Sequence, residues 1–177
     1  MLRTILIFGV LAGVLVAVPM FAHLVFIGEA VGESTQLVGY SIMLAALSLI
    51  FVAVKSYRDT ALGGVIKFGP ALLMGLGISA VASVIYVIGW EITLALTDYA
   101  FIEHYSAALL ADAHAKGGAE LEGAAVEIAH FAEQYRNPLF RLPITFIEIF
   151  PVGLLVSLIS AALLRNPRFL PRTRRVA

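Results

Sequence analysis

Four apolar runs, each close to the length that crosses a bilayer, decide what this chain can be. They cover Thr4 to Ile27, Leu37 to Val54, Phe68 to Leu96 and Leu142 to Leu164. Each reaches or approaches the ~20 residues needed to span a ~30 Å hydrocarbon core. Of the 177 residues, 60% are hydrophobic and only 14% are charged, so charge is well below the usual share of a soluble domain. The shortage is concentrated in the four runs. The expected fold is all-α, one four-span membrane domain covering residues 1–177, with an external helical hairpin at residues 98–137 between spans three and four.

The first run is too long for the 7–15-residue core of a secretory signal. A cut after Ala22 would place Met20 where a small residue is wanted, so this run reads as an uncleaved span. The third, at Phe68–Leu96, exceeds what the bilayer requires and should tilt or protrude. The chain has no cysteine, which excludes disulfides, thiolate metal sites and cysteine nucleophiles.

Formal net charge is zero, yet its sign is partitioned. Arg3, then Lys55, Arg58 and Lys67, then Arg165, Arg168, Arg172, Arg174 and Arg175 fall on one side of a four-span arrangement. The other side holds Glu29, Glu33, Asp98, Glu103, Asp112, Glu120, Glu122, Glu127 and Glu133. By the positive-inside rule both termini and the middle loop are cytoplasmic. The external segment divides at Lys116–Gly118 into two helices. Leu121, Ala125, Ile128, Ala132 and Tyr135 form an apolar seam on the second, opposite an acidic face.

Two carboxylates interrupt the apolar runs. Glu91 lies seven residues inside Asp98 and Glu148 seven inside Arg141. His23 and Tyr40 stand at comparable distances from Glu29 and Glu33. A 1.5 Å rise per residue puts all four about 10 Å below the outer boundary, one from each span. An intramembrane acid costs roughly 2.5–3.5 kcal/mol on insertion scales and calls for a partner. The layer Glu91, Glu148, His23 and Tyr40 is therefore either a proton, cation or headgroup site, or a hydrogen-bonded clasp. A metal centre is not expected. His23 with two carboxylates is a sparse donor set, and Glu127, His130 and Glu133 on the external helix read as a solvated face.

Small residues recur every fourth position at Ala71, Gly75, Ser79 and Ser83, and again at Gly153, Ser157 and Ala161. These stripes let helices approach closely and do not resemble a nucleophile elbow. Gly9 and Gly13 offer a further contact, within the bundle or in a homodimer. The basic tail anchors orientation, with anionic lipid as the alternative partner. No interleaved basic and aromatic surface suggests nucleic acid.

The segment "KSYRDTALGGVIKFGPALLMGLGISAVASVIYVIGWEI", with "FIEHY", "YRNPLFR" and "FIEIFPVGLLVSLISAALLR", resembles the bacterial family known as domain of unknown function 4199. The resemblance implies a four-span inner-membrane protein and brings no activity, cofactor or catalytic residues. His114 and His130 look untypical of its pattern. Within it, Lys55, Tyr57, Arg58 and Asp59 form a cytoplasmic loop motif where span two leaves the membrane. That motif is either a set of cationic and aromatic anchors or a recognition surface with Arg58 as donor. The favoured function is a non-enzymatic accessory or assembly component whose partners are the bilayer and a membrane protein or second copy. The alternatives are a small ion- or proton-coupled transporter using Glu91 and Glu148, and a lipid-acting enzyme. The last is disfavoured because no nucleophile–base arrangement is visible. No cofactor is called for.

Overall fold

The computed structural model describes residues 1–26, 33–116 and 121–171, with the side chains of residues 23–26, 33–36, 116, 121 and 122 left aside. Seven helices and no strand occur among the described residues: α1 (Leu2–Phe26), α2 (Glu33–Leu47), α3 (Leu49–Ala61), α4 (Phe68–Leu96), α5 (Phe101–Lys116), α6 (Leu121–Tyr135) and α7 (Pro138–Leu164). Among the described residues four stretches are long and apolar enough to cross a membrane, namely Leu2–Ala22, Leu37–Ala61, Phe68–Leu96 and Pro138–Leu164. The chain is a helical membrane protein.

Span two joins α2 to α3 through a single irregular residue. Ser48 keeps right-handed helical angles, and its hydroxyl donates to Ala45 O at 2.6 Å. The span runs to Ala61, well past the expected end at Val54. Lys55–Asp59 is therefore helix, not loop, because Gly63 and Gly64, both with positive φ, are what end it. Span four starts earlier than Leu142, at Pro138, where Asn137 accepts from Leu139 N at 3.0 Å and proline occupies the first turn.

Helix α4 is the centre of the bundle, packed along much of its length against α1 and α7. Without water between helices, close van der Waals approach holds spans together. The small-residue stripes provide it. A Cβ added at Gly75 would lie 2.6 Å from Ser157 Oγ, and one at Gly153 would lie 2.5 Å from Ser79 Oγ. Gly9 and Gly13 seat against Val81 and Ile85 of α4 at 2.6 Å by the same measure. The GxxxG of span one is thus used inside the bundle, not left outward for a second copy.

Helices α5 and α6 form the hairpin and pack on each other. Ala125, Ile128 and Ala132 are half-buried and Tyr135 is buried, so the described part of the seam faces protein. An aromatic cluster docks the hairpin on the spans. Trp90 meets Phe101 edge-on at 4.8 Å, while Phe131 contacts both Tyr135 and Phe140. The bundle consequently has a hairpin end and an opposite end, where α3 meets the last turn of α7. The basic tail past residue 171 lies outside the described residues.

Candidate functional site

The register that closes the α4–α7 seam also builds its polar end. Ser79 faces Gly153; Glu91 stands twelve positions on along α4, and Arg141 twelve positions back along α7. Arg141 Nε donates to Glu91 Oε1 at 2.6 Å and Nη2 to Oε2 at 2.7 Å, a bidentate fork. Its remaining nitrogen, Nη1, donates to Tyr135 O at 3.1 Å, a carbonyl left without a helical partner at the end of α6. One guanidinium therefore ties together α4, α6 and α7. Arg141 is buried, and full pairing is what makes that burial tolerable.

Two tyrosines flank this charge, with ring centroids 5.4 Å (Tyr99) and 5.8 Å (Tyr135) from the guanidinium carbon. Tyr99 reaches it through a strained turn. Asp98 and Tyr99 take φ of 51° and 57°, a left-handed conformation that costs about 1–2 kcal/mol per residue outside glycine. Tyr135 is buried and its oxygen accepts from Trp90 Nε1 at 2.6 Å. Burial pushes the Tyr135 phenol above the ordinary tyrosine pKa; the Trp90 N–H and the Arg141 charge pull against that rise.

Glu148 does not join Glu91. It sits seven residues deeper than Arg141 on α7, beside the hydroxyl of Tyr86, which itself donates to Met20 Sδ at 2.6 Å. Among the described residues Glu148 has no ion-pair partner. Tyr40 is 56% exposed on α2 and bonds to neither carboxylate. The side chain of His23 lies outside the described residues. Equal depth holds only if Arg141 marks the membrane boundary. Arg141 instead lies inside span four opposite Glu91, which moves Glu148 about 10 Å inward. As site residues Arg141, Tyr135, Trp90 and Tyr99 are not evident in the sequence, where Tyr135 reads only as part of the apolar seam and Arg141 as a boundary. The available signal was Arg141 itself, a basic residue at the acidic end of the molecule.

At the opposite end Arg58 is fully buried. Its Nε donates to Asp59 Oδ1 at 2.7 Å, and Asp59 Oδ2 accepts from Lys55 Nζ at 2.6 Å. Nη1 donates to Phe169 O at 3.0 Å and Nη2 to Leu170 O at 2.5 Å. Arg58 thus grips the turn following α7 instead of facing a lipid phosphate, and Tyr57 packs half-buried against the core. Ser79, Ser83 and Ser157 donate to the carbonyls four residues back, which makes them buried structural hydroxyls. Glu127, His130 and Glu133 are exposed on α6. Among the described residues no three metal-ligating side chains converge.

Between the α4–α5 turn, the end of α6 and the start of α7 opens a cleft of about 380 Å³. Asp98, Tyr99, Glu103, Tyr135, Arg136 and Arg141 supply its polar lining; Leu94, Ile102 and Pro138 supply the apolar part. Arg136 Nη2 donates to Glu103 Oε1 at 3.1 Å at the exposed rim.

The family described as a protein of unknown function, DUF4199, matches residues 7–166. The chain belongs to the DUF4199 family. The DUF4199 match takes in the Glu91–Arg141 pair, Glu148, the hairpin and Arg58, and ends two residues past α7. No curated protein matches the chain, and no solved structure does. DUF4199 membership assigns no reaction, so the chemistry of the site rests on its geometry.

Proposed function

We propose that this protein is a non-enzymatic accessory or assembly component of a bacterial inner membrane, with both termini cytoplasmic and the hairpin external. One observation carries the reading: Glu91 is locked bidentately to Arg141, and Glu148 lies about two turns away from it. An ion-coupled carrier built on the two acids needs them to share a site. Ser79, Ser83 and Ser157 are likewise bound to backbone carbonyls, so none of these three is activated as a nucleophile. The rigid docked hairpin, with an exposed acidic face at Glu127 and Glu133, is the surface offered to a partner.

Orientation is supported by the basic residues collected at one end of the bundle. Cysteines introduced at Ser56 and Glu133 test it in intact cells. An impermeant reagent should label the Glu133 site alone, and labelling of the Ser56 site alone reverses the topology. The accessory role is tested by photo-crosslinkers at Val126 and Glu133 in native membranes. Both positions should capture one and the same membrane protein, whereas a crosslinker at lipid-facing Leu163 should not.

A second reading has one observation in its favour. Glu148 lies about two turns into span four beside Tyr86, exposed on the bundle surface and without a cation among the described residues, so its carboxyl is free to exchange a proton. Proton flux through proteoliposomes of the purified protein, abolished in E148Q and retained in E91Q, would establish that reading and displace the first.

A further inference from the structure

The cleft at the hairpin end combines features that the bundle does not need for its own cohesion. We propose that it binds the zwitterionic headgroup of an aminophospholipid, the ammonium on Asp98 and the phosphate on Arg136. The location argues for a lipid. The cleft opens where α4 ends and α7 begins, and Leu96, two residues past Leu94, and Leu139, next to Pro138, are 67% and 83% exposed, so apolar surface is open at the ends of both spans. A headgroup seated there leaves its acyl chains against those residues. A volume of about 380 Å³ admits a headgroup and not the chains, and it falls at the lower end of the ordinary range for small-ligand sites.

Charge decides the class of headgroup. The cation at the base of the cleft, Arg141, is already neutralised by Glu91. The Arg136–Glu103 pair lies at the exposed rim, where an ion pair contributes only about 0.2–1 kcal/mol and exchanges readily. Arg136 is therefore available to a phosphate. Asp98 is exposed, has no partner among the described residues, and is held at the wall by the left-handed turn it shares with Tyr99. With Arg141 held by Glu91, a purely anionic headgroup would meet Asp98 and Glu103 against Arg136. A zwitterion satisfies both signs. A primary ammonium has three N–H donors for Asp98 and the released Glu103 carboxylate, whereas a trimethylammonium has none. The preference should therefore be for an ethanolamine headgroup over choline.

The test uses the full-length purified protein in detergent, with lipid retention read by native mass spectrometry. Phosphatidylethanolamine, phosphatidylcholine and phosphatidylglycerol of identical chains are compared, together with soluble glycerophosphoethanolamine. Phosphatidylethanolamine should be retained above the other two lipids, and D98N and R136Q should each weaken it up to about fivefold, the scale of one exposed charge contact. Both variants should keep the wild-type melting temperature in lipid-free detergent, because both side chains are exposed. The soluble headgroup should bind far more weakly than the lipid. Equal or better retention of phosphatidylglycerol or phosphatidylcholine overturns the proposal, as does wild-type retention in both variants. Soluble headgroup binding as tightly as the lipid assigns the cleft to a free metabolite and overturns the membrane source. Because binding is measured on the isolated chain, the outcome does not depend on whether the protein is an accessory component or a carrier.

Discussion

Glu91 and Arg141, fifty positions apart in the chain, meet through two parallel hydrogen bonds of 2.6 and 2.7 Å. The same arginine closes the end of α6, so one buried charge pair fixes both the α4–α7 register at the hairpin end and the seat of the hairpin. Removing either member leaves the other uncompensated.

R141A should therefore cost about 3 kcal/mol, the lower end of the range for breaking a buried pair, because Glu91 retains partial access to solvent. R141K keeps the charge but not the fork and should be clearly destabilised too. The double variant E91M/R141M should recover much of the loss. Thermal unfolding in detergent measures all three; equal stability of R141A and the double variant would show that the pair is not what holds this end.

Arg58 makes a separate prediction. Its guanidinium holds the carbonyls of Phe169 and Leu170, the latter at a positive φ of 48°. R58A should release that turn, so trypsin should cleave after the exposed Arg168 several-fold faster than in wild type. R58K should fall between the two, because an ammonium cannot reach both carbonyls and Asp59 in one plane. Cleavage at the wild-type rate in R58A would count against the staple.

Glycines that look equivalent in the sequence should differ sharply. G75V and G153V drive a side chain into the opposing serine and should destabilise by at least about 1–3 kcal/mol. Gly39 of α2 has no atom within 4 Å of an added Cβ, so G39A should be neutral or slightly stabilising through helix propensity. Melting temperatures of the three variants decide the matter.

Tyr135 gives a dependence on pH. Burial raises its folded-state pKa above the unfolded value, so the folded protein holds the phenolic proton longer than the unfolded chain. Stability is unaffected well below the ordinary tyrosine pKa of about 10 and falls as pH rises through and above it. Y135F should be less stable at neutral pH, since Trp90 loses its acceptor, but should lose stability less steeply on the alkaline side. Parallel slopes in the two proteins would remove Tyr135 as the titrating group.

Local information was enough for some elements. Span three was legible to its end residues, because an apolar run that stops at Thr97 and Asp98 has no other place to end. The two small-residue stripes were legible as contact faces, since four-residue spacing leaves one face of a helix without bulk. The hairpin helices were legible from the glycine pair between them and from the Ala125–Tyr135 seam. The polar partners were not. Depth along a helix says nothing about rotation around it, and Arg141 looks like a boundary because arginines ordinarily stop at the membrane surface. Lys55–Asp59 looks like loop for the same reason, although α3 continues through it to Ala61.

The number of spanning helices and the faces that can approach closely are therefore local properties of the chain, because both follow from the cost of exposing polar groups or bulk along a single helix. The pairing of Glu91 with Arg141, the place of Glu148 by Tyr86 and the inward turn of Arg58 to the end of α7 emerge only when the helices are packed. Those choices depend on register between segments far apart in the chain. At the Glu91–Arg141 end that register is set by glycine and serine contacts three or more turns away from the charges it aligns.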